Sequence, residues 1–107
     1  MGLLNLAKQQ ETLFKEQVWA DLKRLPNTWA HKTQEVAKRG VPDFLVCVNG
    51  VFLALELKTE TGTLDPLQEY KLKKIQEANG IAIVATPKNW AWVFRELLDI
   101  SNGGNNG

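Results

Sequence analysis

Asp43, Glu56 and Lys58 are the residues whose types and spacing could do chemistry together in this 107-residue chain. They lie at the open end of an apolar hairpin. Residues 43–48 and 51–58 flank Asn49-Gly50, a dipeptide suited to a type I′ turn. A two-residue turn pairs Val48 with Val51, and the pairing carried back along the ribbon sets Asp43 opposite Glu56. Alternation then places Asp43, Leu45, Cys47, Phe52, Ala54, Glu56 and Lys58 on one face. Phe44, Val46, Val48, Val51, Leu53, Leu55 and Leu57 form the other. Both faces are mainly apolar, so the hairpin is expected to be covered on both sides.

Two carboxylates facing each other across a strand pair stand roughly 5 Å apart at Cβ and repel. In a partly buried setting one of them takes up a proton, or a cation sits between them. A hard divalent ion with oxygen ligands, Mg²⁺ above all, is the natural partner. Lys58, two residues beyond Glu56, reaches the same cleft. Its ammonium can neutralise charge on a phosphate or help orient and deprotonate an attacking water. The bland alternative makes Asp43 a strand-start residue after Pro42 and Glu56-Lys58 a solvated pair. The uniformly apolar neighbours favour the functional reading.

The elements that must position these residues can be read from periodicity and punctuation. Residues 6–23 read as a helix, with Leu13, Phe14, Val18, Trp19 and Leu22 at helical spacing. Pro26-Asn27 ends it, and residues 28–32 form a short strand. A polar stretch over 33–39 closes at Gly40. After the hairpin and a loop over 59–64, Asp65-Pro66 opens a second helix, with Gln68 at the capping-box position. Asn79-Gly80 ends that helix. Residues 81–86 read as a buried strand broken by Pro87. Residues 89–100 form a last helix burying Trp90, Val93, Phe94 and Leu97. The order predicts an α/β fold, a mixed central sheet with helices on both faces. Residues 1–100 make one domain, and 101–107 read as a disordered tail.

Composition narrows the classes. Hydrophobic residues make up 44 % and charged residues 23 %, as in ordinary globular proteins. A net charge of +1 means that any nucleic-acid contact must come from local clusters of Lys and Arg. The single cysteine, Cys47, excludes an intramolecular disulfide and a Cys-based zinc site. No apolar run is long enough to span a membrane, and Met1–Asn5 has no signal-like pattern, so a cytoplasmic location is expected.

Gly40-Val41-Pro42-Asp43, the hairpin and Glu56-Leu57-Lys58 together resemble the PD-(D/E)XK nuclease signature. Arg39-Gly-Val-Pro-Asp43, Leu55-Glu-Leu-Lys58, Gly62-Thr-Leu-Asp-Pro-Leu-Gln68 and Gly80-Ile-Ala-Ile-Val84 are more narrowly similar to the small phage and bacterial VRR-Nuc proteins. The likeness covers about residues 11–98. It implies a restriction-endonuclease-like core and Mg²⁺- or Mn²⁺-dependent hydrolysis of DNA. It further implies that Asp43, Glu56 and the Leu57 carbonyl bind the metal, with Lys58 and Gln68 completing the site. A first-helix acid is also implied. Glu16, with Trp19 and Leu22 at +3 and +6, and Glu11, with Phe14 and Val18 at +3 and +7, both border the buried stripe. Glu16 is preferred because its spacing to Lys32 and the following strand is closer to that of the family. Branched DNA such as four-way (Holliday) junctions, cut by a homodimer, is the substrate the resemblance suggests. A catalytically silent nucleic-acid-binding module, or a nuclease subunit that needs a partner, are the alternatives.

Lys32, Lys38, Arg39, Lys71, Lys73 and Lys74 are candidates for gripping flanking phosphates. Gln68 has a competing role as capping partner of Asp65. His31 is read as structural, Cys47 as core, Tyr70 as packing, and Trp19, Trp29, Trp90 and Trp92 as packing residues.

Overall fold

Asn49 and Gly50 take positive φ angles of 49° and 83°, as the tight turn requires. The hairpin they make is the middle of the sheet. The computed structural model of the protein describes residues 2–33, 39–59 and 63–103. Its elements are α1 (Leu3–Lys23), β1 (Thr28–Lys32), β2 (Phe44–Val48), β3 (Val51–Leu57), α2 (Pro66–Glu77), β4 (Ile81–Ala85) and α3 (Trp90–Ser101). The four strands form one mixed sheet in the order β1-β2-β3-β4. β1, β2 and β3 are antiparallel neighbours, and β4 lies parallel to β3 after the α2 crossover. Val48 pairs with Val51 and Phe44 with Leu55, the register read from the sequence.

The two faces of the sheet are covered unequally. Phe44, Val46, Val48, Leu53 and Leu55 point to one side and pack with Phe14, Val18 and Leu22 of α1 and Trp90, Val93 and Leu97 of α3. This is the core, and each large side chain fully buried there contributes roughly 1.5–3 kcal/mol. Trp19 stacks on Phe44 at 5.8 Å. The Trp90 indole N–H donates to Asp21 Oδ2 at 2.8 Å, tying α3 to α1.

Among the described elements only α2 covers the opposite side, and it covers only part. Leu72 is buried there, as are Ala54 and Glu56 of β3. Gly80 lets α2 approach, since a Cβ at that position would meet Ile75 Cγ2 at 2.8 Å and Phe52 Cδ2 at 3.1 Å. Leu45 is half-buried, and Cys47 and Phe52 are exposed. The expectation of a hairpin covered on both sides therefore holds for one side only. Cys47 is not core, because α2 lies over β3 and β4 and not over β2.

Other expectations are corrected by the same packing. Leu13 is exposed, because the buried stripe of α1 runs through Phe14, Val18 and Leu22. Trp29, Trp92 and Tyr70 are exposed rather than packed. The tail does not begin at residue 101. Ser101 is fully buried, and its carbonyl accepts from Asn27 Nδ2 at 3.0 Å while the Ile100 carbonyl accepts from Asn49 Nδ2 at 3.2 Å. The Asn27 amide satisfies a carbonyl that the helix end leaves free, and the Asn49 amide adds to the Gly103 N–H that already donates to the Ile100 carbonyl at 3.0 Å. Residues 104–107 lie outside the described part.

Candidate functional site

The hairpin register brings Asp43 and Glu56 to one end of the face that α2 covers. Asp43 sits just before β2 and is held by its neighbours. Thr33 N–H donates to the Asp43 carbonyl at 2.9 Å, and the Thr33 hydroxyl donates to the carbonyls of Pro42 and Asp43. Asp43 Oδ2 accepts the Leu57 N–H at 2.8 Å, so the carboxylate caps the end of β3. Its Oδ1 is 3.3 Å from Lys15 Nζ of α1.

Glu56 is 4 % exposed. Its Oε2 accepts from Gln68 Nε2 at 3.1 Å and lies 3.9 Å from Lys58 Nζ. Its Oε1 is buried and finds no donor among the described residues. Lys58 N–H donates to the Ala85 carbonyl at 2.9 Å. That bond carries the β3–β4 ladder one residue further and keeps Lys58 in line with Glu56.

Gln68 does two jobs at once. Its backbone N–H donates to Asp65 Oδ1 at 2.9 Å, and its Oε1 accepts the Asp65 N–H at 3.0 Å. With the amide oxygen engaged by the cap, the amide NH₂ is turned toward Glu56. The capping box thus orients a donor at the carboxylate.

The electrostatics follow from this crowding. Burial, and then the charge of Asp43, push the Glu56 carboxyl up from 4.5 to about 8, with Lys58 and Lys15 pulling the other way. A proton on Glu56 also permits a hydrogen bond with Asp43. A divalent cation would relieve the same strain. Two adjacent carboxylates, one with a donorless buried oxygen, suit a hard cation in donor type. The number of protein donors is small. Among the described residues, no group of three or more His, Cys, Asp or Glu side chains could hold a metal. Carbonyl and water ligands would complete the shell, as Mg²⁺ commonly permits.

The structure brings together Asp43, Glu56, Lys58 and Gln68 of the expected residues. It does not bring Glu16, which is exposed. Successive helix residues advance by about 100°, so Lys15 stands about 60° from Val18 and Glu16 about 160° from it. Lys15 therefore reaches Asp43 and Glu16 turns away. Glu11, one turn before Lys15, shares a shallow surface pocket with Lys8, Thr12 and Lys15. Among the described residues it does not join the carboxylates in a metal-binding group. Lys15 itself was not among the expected residues. Its closeness to the Phe14–Val18–Leu22 stripe was the signal that could have found it.

The expected phosphate contacts divide. Lys32 lies 5.4 Å over the Trp19 ring, on the side of the sheet away from Glu56. Lys71 Nζ donates to the Arg39 carbonyl at 2.7 Å, and Lys74 pairs with Glu77 at 3.2 Å. Both of these lysines lie on the carboxylate side. Arg39 is exposed. Lys38 lies outside the described residues. His31 is exposed and stacks on Trp29.

No helix among the described residues is long and apolar enough to cross a membrane. Compared with known proteins, the chain matches no family model, no curated protein and no solved structure.

Proposed function

We propose that this chain is a Mg²⁺- or Mn²⁺-dependent nuclease hydrolysing DNA phosphodiester bonds on a restriction-endonuclease-like core of the VRR-Nuc kind. The observation that carries the reading is Glu56: a buried carboxylate beside Asp43, with one oxygen that no described residue donates to. A fold with no use for that oxygen would do better with an apolar residue.

In this reading Asp43 and Glu56 hold the cation, with the Leu57 carbonyl as a third donor. When bound, the ion supplies Lewis-acid charge at the phosphate and a more acidic water. Gln68 pins Glu56 Oε2 and leaves Oε1 for the ion. The Lys58 ammonium offsets charge at the phosphate and orients the attacking water. Lys15 neutralises Asp43 before the ion arrives and is displaced or shared afterwards. The resemblance extends the proposal to branched, Holliday junction-like DNA, a homodimer, and action in the cytoplasm.

The test is cleavage of labelled linear and branched DNA with Mg²⁺, with Mn²⁺ and with EDTA. Cleavage should vanish in EDTA and in the Glu56→Ala and Lys58→Ala proteins. Product formed equally by those variants would remove the assignment.

A second reading rests on a specific observation. Lys15 and Lys58 together balance the two carboxylates without any metal, as a catalytically silent binding module would require. Calorimetry with Ca²⁺ separates the two, since the silent module takes up no divalent ion. A subunit that needs a partner protein would bind the ion and yet fail to turn over alone.

A further inference from the structure

The part of the sheet that α2 leaves bare is not featureless. On β1, Trp29 and His31 both face outward on the side of the sheet that carries Glu56. Trp29 is 67 % exposed, and its ring lies parallel to that of His31, with centroids 5.9 Å apart and planes 3° from parallel. Trp29 is the pairing partner of Cys47, and Cys47 of Phe52. Trp29, Cys47 and Phe52 therefore form a row across three strands, all exposed. Leu45, the partner of His31, lies half-buried between that row and the carboxylates.

One wall of this floor carries two lysines, Lys71 and Lys74, of which Lys74 also pairs with the exposed Glu77 in a solvent-screened contact. Gln68, Lys71 and Lys74 follow each other at i, i+3 spacing along one flank of α2. Gln68 marks the carboxylate end. Lys74 shares an open groove with Phe52, Ile75 and Gly80 at the hairpin end. Lys71 is steadied between them by the Arg39 carbonyl, a contact that leaves its charge intact. From Phe52 to Glu56 the strand covers roughly 13 Å, about four base steps at 3.4 Å each.

We infer that this trough binds an unpaired stretch of nucleic acid, with bases stacked on Trp29, His31 and Phe52 and phosphates along Lys71 and Lys74, leading the strand to Asp43 and Glu56. Aromatic faces beside a row of positive charge suit single strands, because every base offers a π-face and every linkage a negative charge. Paired bases cannot reach such a floor. The inference rests on the nuclease reading for its direction, but binding itself needs no catalysis.

Cys47, in the middle of the floor and the sole cysteine of the chain, makes the test direct. In EDTA at low salt, alkylation of Cys47 by a maleimide is timed with and without an eight-nucleotide oligo(dT), and with a blunt duplex of equal length. Oligo(dT) should slow alkylation severalfold and the duplex should not. Binding of labelled oligo(dT) should weaken at least about fivefold in Trp29→Ala, given 1–3 kcal/mol per stacked base. It should also weaken in Lys74→Glu, with a shallower salt dependence. Unchanged alkylation with oligo(dT), or equal protection by the duplex, would overturn the inference. Protection that follows protein concentration alone would overturn it too, by showing a second copy on this face. Loss of cleavage with retained protection would fault the nuclease reading, and cleavage without protection would fault the trough.

Discussion

Replacing Glu56 by Gln should make the protein more stable, and more so as pH rises. Glu56 is almost completely buried, with one oxygen bonded to Gln68 and the other to no described residue. Its carboxyl titrates at about 8 in the folded protein against 4.5 for an ordinary glutamate. Because the folded value is raised, the folded state holds a proton that the unfolded chain has released. The stabilisation is therefore fully present below about pH 4.5 and is lost as pH climbs through about 8. The gap corresponds to a ceiling of about 5 kcal/mol at 1.36 kcal/mol per pH unit, of which roughly 4 kcal/mol falls between pH 5 and pH 9. Glutamine has nearly the same shape, keeps an oxygen for the Gln68 donor, places an N–H toward Asp43 and does not titrate. Urea unfolding of both proteins across that range, without divalent ions, measures the difference directly. The free-energy curves should diverge by several kcal/mol toward high pH. Adding Mg²⁺ at high pH should recover stability in wild type and little in the variant, since a ligand stabilises only the state that binds it. Parallel curves at every pH would refute the claim that Glu56 is a strained, ion-seeking carboxylate.

Two further predictions concern the scaffold of the site. Gln68→Ala removes half a capping box and the donor to a buried carboxylate oxygen, so it should lower stability by about 2–4 kcal/mol; Asp65→Ala, which loses only the cap, should lower it by about 1 kcal/mol. Equal losses in thermal or urea unfolding would show that the bond from Gln68 to Glu56 contributes nothing. Gly40→Ala should be destabilising by about 1–3 kcal/mol. Gly40 has φ of 80°, and an added Cβ would lie 2.7 Å from Leu67 Cγ. An unchanged melting temperature would show that the contact between this loop and α2 is loose.

How far the site could be read from the sequence differs from residue to residue. The facing of Asp43 and Glu56 follows from local rules alone, since a two-residue turn fixes the register and alternation fixes the face. The α2 start was equally legible, because Asp65, Pro66 and Gln68 carry their capping roles within four residues. What the pattern could not tell was that the cap and the site use the same Gln68 side chain. Those two roles look like competitors in the sequence and are compatible only when α2 lies over β3.

The rotation of α1 is where the structure departs most from the expected site. Trp19, the +3 neighbour of Glu16, is only half-buried beside the Lys23 and Lys32 ammonium groups, and spacing along the chain to Lys32 says nothing of which way the helix turns. The stripe that the sheet selects is Phe14, Val18 and Leu22, and it turns Lys15 rather than Glu16 to Asp43. The error at Cys47 and Trp29 has a related origin. Alternating apolar residues state that a strand has two faces; they do not state how much helix the chain has to cover them.

By itself the sequence determined the elements, the hairpin register and the opposition of two carboxylates, because each depends on contacts between residues close along the chain. Tertiary structure alone decided that Lys15 meets Asp43, that Glu56 is left with an unpaired oxygen, and that three aromatic rings lie open on one side of the sheet. Those outcomes depend on where three helices settle over a four-stranded sheet. Two helices took one face and one took part of the other, and local pattern carries no record of that division.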